Sequence, residues 1–215
     1  MAQQLKDEVR NKMLDAGGRV FASAGYGGAT MAAIAREAGV STGNLYRYFG
    51  GKDELFYTLF TDEFAAEHLR RVRRRVGSLV ATPDLEALGE EARRDGEALL
   101  RFWIENRARV VVLLARAEGT RFADHPARFV EALMRPTLAG LSARTGKRRL
   151  GSMVRFTLRN VFDNTVRTIV AILEEHEEEA AITEAFQAFW SYQLAGLAGL
   201  ERWASRVGLE SRPRE

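Results

Sequence analysis

The chain has 215 residues with 32 basic and 29 acidic side chains, a net charge of +3, and no cysteine. That length can bury a sizeable core in one or two domains, and the lack of Cys excludes disulfides, a thiol redox switch and a cysteine zinc site. So mild a charge also excludes a protein that holds nucleic acid by bulk electrostatics, so any DNA contact has to be local and geometric. Four of the cations are Lys and 28 are Arg, a balance suited to planar, bidentate contacts and buried ion pairs.

In chain order, Val9, Met13, Leu14, Ala16, Val20, Phe21 and Ala24 predict a helix over 3–24. Gly25 ends it, and Tyr26-Gly27-Gly28 turns into the next element. The arm before it, Met1 to Asp7, carries only Lys6 and promises little minor-groove reading. Thr30 is placed to cap a short helix, Met31 to Ala38, that Gly39 stops. Ser41 or Thr42 caps a further helix running to about Phe49. Ile34, Ala35, Ala38, Val40, Leu45 and Phe49 face inward, with small Ala residues at the crossing. Thr42, Gly43, Asn44, Tyr46, Arg47 and Tyr48 remain outward, groups able to read base edges and grip phosphates in a major groove. The layout is helix-turn-helix. Gly50-Gly51 breaks the chain, and Lys52-Asp53-Glu54 opens a helix predicted to run without interruption to about Val76. Gly77 to Pro83 is the first break expected in the body. Helices are then predicted over 84–106, 108–117 and 126–143, with a turn at Thr145-Gly146-Lys147. Two long helices follow over 152–174 and 180–207, before a frayed tail at 210–215. The expected class is all-α.

Residues 7 to 60 resemble the N-terminal DNA-binding domain of the TetR family of bacterial repressors. The resemblance is carried by Phe21, Gly25-Tyr26, Thr30-Met31, Ile34-Ala35, Ala38-Gly39-Val40-Ser41, Gly43, Leu45-Tyr46, Phe49, Lys52 and Leu55. Tyr48 stands where the family most often has His, and Gly50-Gly51 where a polar residue usually precedes the Lys. The resemblance implies a helix-turn-helix domain over 1–51 and a helical ligand-binding and dimerisation domain over 52–215. It implies a homodimeric regulator, most often a repressor, released from a pseudo-palindromic operator by a small molecule held in the C-terminal bundle. It also implies phosphate contacts for Thr30, Tyr46 and Lys52. The residues themselves favour the same role for Tyr46, because Leu45 and Phe49 already fill the inward face. For Lys52 they leave a cation at a helix start that something must offset. Thr42, Asn44 and Arg47 are the base-reading candidates, and Gly43 permits close approach to the groove. A solvated surface residue is the alternative for each. Whether control is repression or activation depends on where the operator lies.

Beyond residue 52 the signals are softer. Phe186, Phe189, Trp190, Gln193, Leu197 and Leu200 follow three- and four-residue steps, beside a small-residue stripe from Leu194 to Leu200. Phe162 and Ile169 belong to a similar row on the preceding helix. A four-helix dimer interface and packing inside one subunit explain this periodicity equally well, and the family resemblance favours the interface. Phe102, Trp103, Phe129, Phe156, Asn160 and Asn164 are candidates for an effector pocket, against the alternative of ordinary core. The basic run from His68 to Arg75 reads as a solvated face pairing with acids such as Asp84, Glu86, Glu90 and Glu91. The acidic run Glu174 to Glu179 reads as a hydrated turn. No metal or cofactor is assigned. An enzyme is disfavoured by the lack of a Gly-rich phosphate loop, a nucleophile elbow, or any cluster of the three His at 68, 125 and 176. The longest apolar run, Val110 to Ala115, is too short to span a bilayer, and no signal peptide is seen, so a soluble cytoplasmic protein with no membrane partner is expected.

Overall fold

In the computed structural model, residues 2–82, 88–148 and 150–207 are described. They form ten α-helices and one π-helical segment, with no strand among them. The chain is all-α. It divides into two compact units, the first comprising the chain up to Glu67 with Asn106–Pro126, the second His68–Glu105 with Ala127–Glu215.

In unit 1, α1 spans Ala2–Gly28 and is broken by a positive φ of 70° at Gly25. The segment read as an N-terminal arm, Met1 to Asp7, is therefore part of this helix from Ala2. α2 (Met31–Ala38) and α3 (Thr42–Tyr48) follow, then α4 (Lys52–Leu59). α4 stops where an unbroken helix to Val76 was expected. Phe60 leaves the helical region at ψ 86°, and Thr61 recaps the chain, its hydroxyl accepting from the Phe64 amide at 3.2 Å. α5 (Asp62–Ala81) then begins with two acids in its first turn, where the helix dipole favours them. The bend allows both sides of the junction to bury aromatic rings. Phe56 stacks on Phe60 at 4.4 Å, and Phe21 meets Phe56 edge-on at 5.0 Å. The expected break at Gly77 is absent because α5 runs through it to Ala81, and Pro83 lies outside the described residues.

The segment Asn106–Pro126 completes unit 1. α7 (Arg107–Val111) runs into the π-helical turn Val112–Arg116, and both pack against α1. Val110, Val111, Val112, Leu113 and Leu114 are all buried. Five consecutive buried residues exceed one face of an α-helix, and the wider turn is how this run packs.

Unit 2 takes α5 from His68 onward, α6 (Glu90–Glu105), α8 (His125–Thr145) from Ala127, α9 (Ser152–Glu175) and α10 (Glu179–Val207). Gly146 ends α8 at φ 66°, as the Thr-Gly-Lys turn predicted. The predicted start of α6 at Asp84 and the tail 210–215 lie outside the described residues. Its core is aromatic at one end. His68 is fully buried and its Nε2 accepts from the Trp103 indole at 3.0 Å. Trp103 packs on Phe186 at 5.1 Å and His68 on Phe129 at 5.4 Å.

The run from His68 to Arg75 is thus only partly a solvated face. His68, Leu69, Val72 and Arg75 point inward, while Arg70, Arg73 and Arg74 are exposed. Arg74 pairs with the buried Asp95 at 2.8 Å. Of the acids expected to answer this run, Glu90 pairs instead with Arg94, and Asp84 and Glu86 lie outside the described residues.

Candidate nucleic-acid interface and buried cavity

α2 and α3 are held at a fixed turn by hydrogen bonds that the sequence encodes residue by residue. Thr30 Oγ1 accepts from Ala33 N at 3.1 Å, and Ser41 Oγ accepts from Asn44 N at 3.1 Å, so each helix has a side-chain N-cap. Gly39 sits at φ 65°, where Val40 N donates to Ala35 O at 2.9 Å and Gly39 N to Arg36 O at 3.1 Å. That pair of bonds is the Schellman closure, and it needs a left-handed residue at this position. Ile34, Ala35, Ala38, Leu45 and Phe49 are all buried to within 1%.

The face left over on α3 is polar and open. Thr42, Gly43, Tyr46 and Arg47 are exposed, Tyr46 by 52%, while Asn44 and Tyr48 are half-buried. No neighbouring atom lies within 4 Å of where a Gly43 side chain would begin. Arg47 makes no ion pair among the described residues, and Thr30 remains exposed although its hydroxyl is engaged as a cap. Lys52 has a different setting. It is half-buried, donates to the Tyr26 carbonyl at 2.7 Å and lies 4.3 Å from the centre of the Tyr26 ring. The Tyr26 hydroxyl in turn donates to Asp53, and this bond is the main cause that raises its pKa to about 12. Glu54 accepts from the Gly50 amide at 2.7 Å, fixing the double-glycine break. Tyr26, read in the sequence only as part of a turn and of the family resemblance, and Arg10, whose guanidinium lies 5.4 Å from the Phe49 ring and which drew no reading, support this face. Their roles depend on contacts across 27 and 39 positions, which local spacing does not reveal.

Residues 13–58 match the family model described as bacterial regulatory proteins, tetR family. The matched segment takes in the helix-turn-helix and its flanking helices, from α1 into α4. A stretch of 57 residues is 47% identical to the HTH-type transcriptional regulator HbdR of Aromatoleum sp. (strain CIB), covering 26% of this chain and 25% of that protein. The chain thus matches about a quarter of the length of this curated relative. Among solved structures, a TetR-family transcriptional regulator from Pectobacterium atrosepticum is similar at 19% identity and a TM-score of 0.44, covering 89% of this chain and 94% of that one. GusR of Salmonella enterica is similar at 21% identity and a TM-score of 0.42, covering 91% and 96%. The matching family model and HbdR are both described as regulators.

Unit 2 holds a partly open cavity of about 100 Å3. Its walls come from α5, α6, α8, α9 and α10. Of the six pocket candidates, Trp103 and Phe129 line it and Phe102 is buried beside them, with its ring 5.9 Å from His68. Phe156, Asn160 and Asn164 lie elsewhere. They are exposed on the outward face of α9, Phe156 by 64%, and Asn160 is satisfied by the Phe156 carbonyl at 2.9 Å. The expected interface residues show the converse. Phe162, Ile169, Phe189, Trp190, Gln193 and Leu197 line the cavity, Phe186 is fully buried against Trp103, and Leu200 is half-buried. Gln193 donates to the Thr165 hydroxyl at 2.8 Å within the same wall. The row expected at an interface thus packs largely within its own subunit, the alternative that periodicity left open, and three of the pocket candidates lie on the outward face. Arg75, expected on a solvated face, also lines the cavity, as do Thr137 and Arg144, which the sequence did not single out.

Among the described residues, no group of three or more His, Asp or Glu is placed to hold a metal ion. No helix among them is long and apolar enough to cross a membrane.

Proposed function

We propose that this protein is a sequence-specific, DNA-binding transcriptional regulator, a homodimeric repressor acting in the cytoplasm and released from its operator by a small molecule. The observation that carries this reading is the outward row of α3, presented by a turn closed at Gly39 and capped at Thr30 and Ser41. DNA binding is assigned to residues 1–51, and effector binding and dimerisation to the chain from residue 52 onward. Thr42, Asn44 and Arg47 would read base edges, with Arg47 the strongest because a free guanidinium can engage a guanine in bidentate fashion. Gly43 lets the backbone approach the groove wall. Thr30, Tyr46, Tyr48 and Lys52 would bind phosphates and set the register. Lys52 retains donors for this, since an ammonium has three and Tyr26 uses one.

One such helix makes few contacts, so a second copy about 34 Å away is needed to read a pseudo-palindrome. The outward faces of α9 and α10 support self-association. Met153, Phe156, Val161, Tyr192 and Trp203 are the large apolar side chains left exposed there, and Ala195, Gly196 and Gly199 lie between the last two. A ligand in the cavity of unit 2 would bias an equilibrium between DNA-competent and released arrangements.

Selection of the full-length protein on random duplex DNA tests this reading. A pseudo-palindrome bound by a dimer is the expected result. Arg47→Ala or Asn44→Ala should cost about 1–3 kcal/mol and relax preference at particular base positions. No enrichment at low salt would overturn the DNA-binding assignment, and unchanged preference in a variant would remove that residue from the readout.

A further inference from the structure

The cavity of unit 2 carries a charge on its wall that the chain leaves largely unanswered. Arg75 is 7% exposed and has one hydrogen bond, to the Ala92 carbonyl. A guanidinium has five N–H donors. No carboxylate lies within ion-pair distance of Arg75 among the described residues; the nearby Asp95 is bound to Arg74 through Oδ1 at 2.8 Å, and its buried Oδ2 has no hydrogen-bond partner. Burial pulls the Arg75 pKa below the usual arginine range, with Asp95 opposing from a distance. Its guanidinium lies on the bare backbone of α6, where a side chain at Gly96 would begin 3.1 Å from its central carbon. Trp190 flanks it, with 5.5 Å from the guanidinium carbon to the ring centre.

The other basic group of the wall is differently placed. Arg144 donates to the Thr82 and Val80 carbonyls at 3.1 and 3.3 Å and faces Glu201 at 3.6 Å, so it serves as a structural tie. Thr137, 5% exposed, lines the cavity and makes no hydrogen bond with its side chain among the described residues. Most of the remaining wall is apolar, including Val76, Leu99, Trp103, Phe129 and Phe162. A buried cation facing such a space is costly unless an anion meets it. A carboxylate can do so through two parallel N–H bonds, whereas a neutral group leaves the charge unpaired. The space, about 100 Å3 and partly open, suits a small occupant.

We propose that Arg75 is the anion receptor of this cavity and that its ligand is a small apolar carboxylate, with its body among Trp103, Phe129 and Phe162 and Thr137 as an auxiliary hydrogen-bond partner. The proposal rests on the effector reading of unit 2. The test titrates the full-length protein with benzoate, phenylacetate and hexanoate, each beside its primary amide, by calorimetry and by the fluorescence of Trp103 and Trp190. At least one carboxylate should bind about tenfold or more tightly than its amide, and Arg75→Gln should abolish that preference. Thr137→Val, which keeps the wall's shape, should weaken the same carboxylate severalfold. The carboxylate-to-amide ratio in the unaltered protein is decisive even if Arg75→Gln fails to fold. Equal or reversed affinities, or no carboxylate bound at millimolar concentration, would overturn the Arg75 assignment. A mobility shift with the selected DNA separates the two readings. A carboxylate that binds with the stated preference yet leaves DNA binding unchanged upholds Arg75 as the receptor and removes the effector reading.

Discussion

Lys52 stands at the first position of α4, where the helix dipole opposes a cation, and the chain supplies the compensation itself. The Tyr26 carbonyl accepts its ammonium, the Tyr26 ring lies beneath it, and Asp53 and Glu54 follow in the same turn. Tyr26 therefore serves two neighbours, taking Lys52 at its carbonyl and ring and donating its hydroxyl to Asp53. Its phenol is raised from 10.0 to about 12, first by the bond to Asp53 and then by burial and the charge of Asp53. A raised pKa means that the folded state holds the neutral phenol more firmly than the unfolded chain does. The corresponding stability is complete below the unfolded value of 10.0 and is lost as pH rises through the window to about 12. Thermal melts across that window should show the loss in the unaltered protein and a shallower decline in Tyr26→Phe. A decline of equal steepness in the variant would mean that the Asp53 bond has no part in it. Arg47, in contrast, has no internal ion pair among the described residues, whereas Lys52 shares its ammonium between the fold and solvent.

At the scale of elements, what the sequence revealed depended on whether the cause was local. The turn between α2 and α3 was fully legible, because a hydroxyl three residues before an amide and a glycine at a helix end are local requirements. Gly39→Ala should cost about 1 kcal/mol in urea unfolding, since alanine at φ 65° is strained. No steric term adds to this, because the nearest atom to the new side chain is Lys12 Nζ at 3.7 Å. A loss well beyond that would indicate that the turn itself rearranges. The break at Phe60 was missed although Thr61-Asp62-Glu63 is a capping sequence, because Leu55, Phe56, Leu59, Phe60 and Phe64 keep an uninterrupted helical spacing across it. Tertiary burial of both rings, which spacing does not encode, decides in favour of the bend. The inward and outward faces of α9 and α10 were only partly legible for a related reason. Periodicity shows that Phe162, Ile169 and Phe189 share a face with their neighbours, but not whether that face meets its own subunit or a second one. Gly96 and Arg75 were invisible for a stronger reason, since their meaning arises only when α5 and α6 are side by side.

For the molecule as a whole, the apolar residues on the outward faces of α9 and α10 call for a partner. Tyr192 is 78% exposed and Phe156 64%, on a surface with a stripe of small residues. Placing a charge there, as in Tyr192→Glu or Phe156→Glu, should convert the proposed dimer to a monomer in sedimentation velocity while leaving helix content unchanged. Retention of the dimer by both variants would move the interface to another surface. The same two helices line the cavity on one side and carry this exposed stripe on the other. In a dimer closed by that stripe, ligand occupancy and self-association are therefore two ligations of one structural element. Whatever factor the ligand applies to dimer affinity, dimerisation must apply to ligand affinity. The abundance of the protein would then help set the concentration at which the ligand is sensed, so that the regulator's dose becomes part of its input.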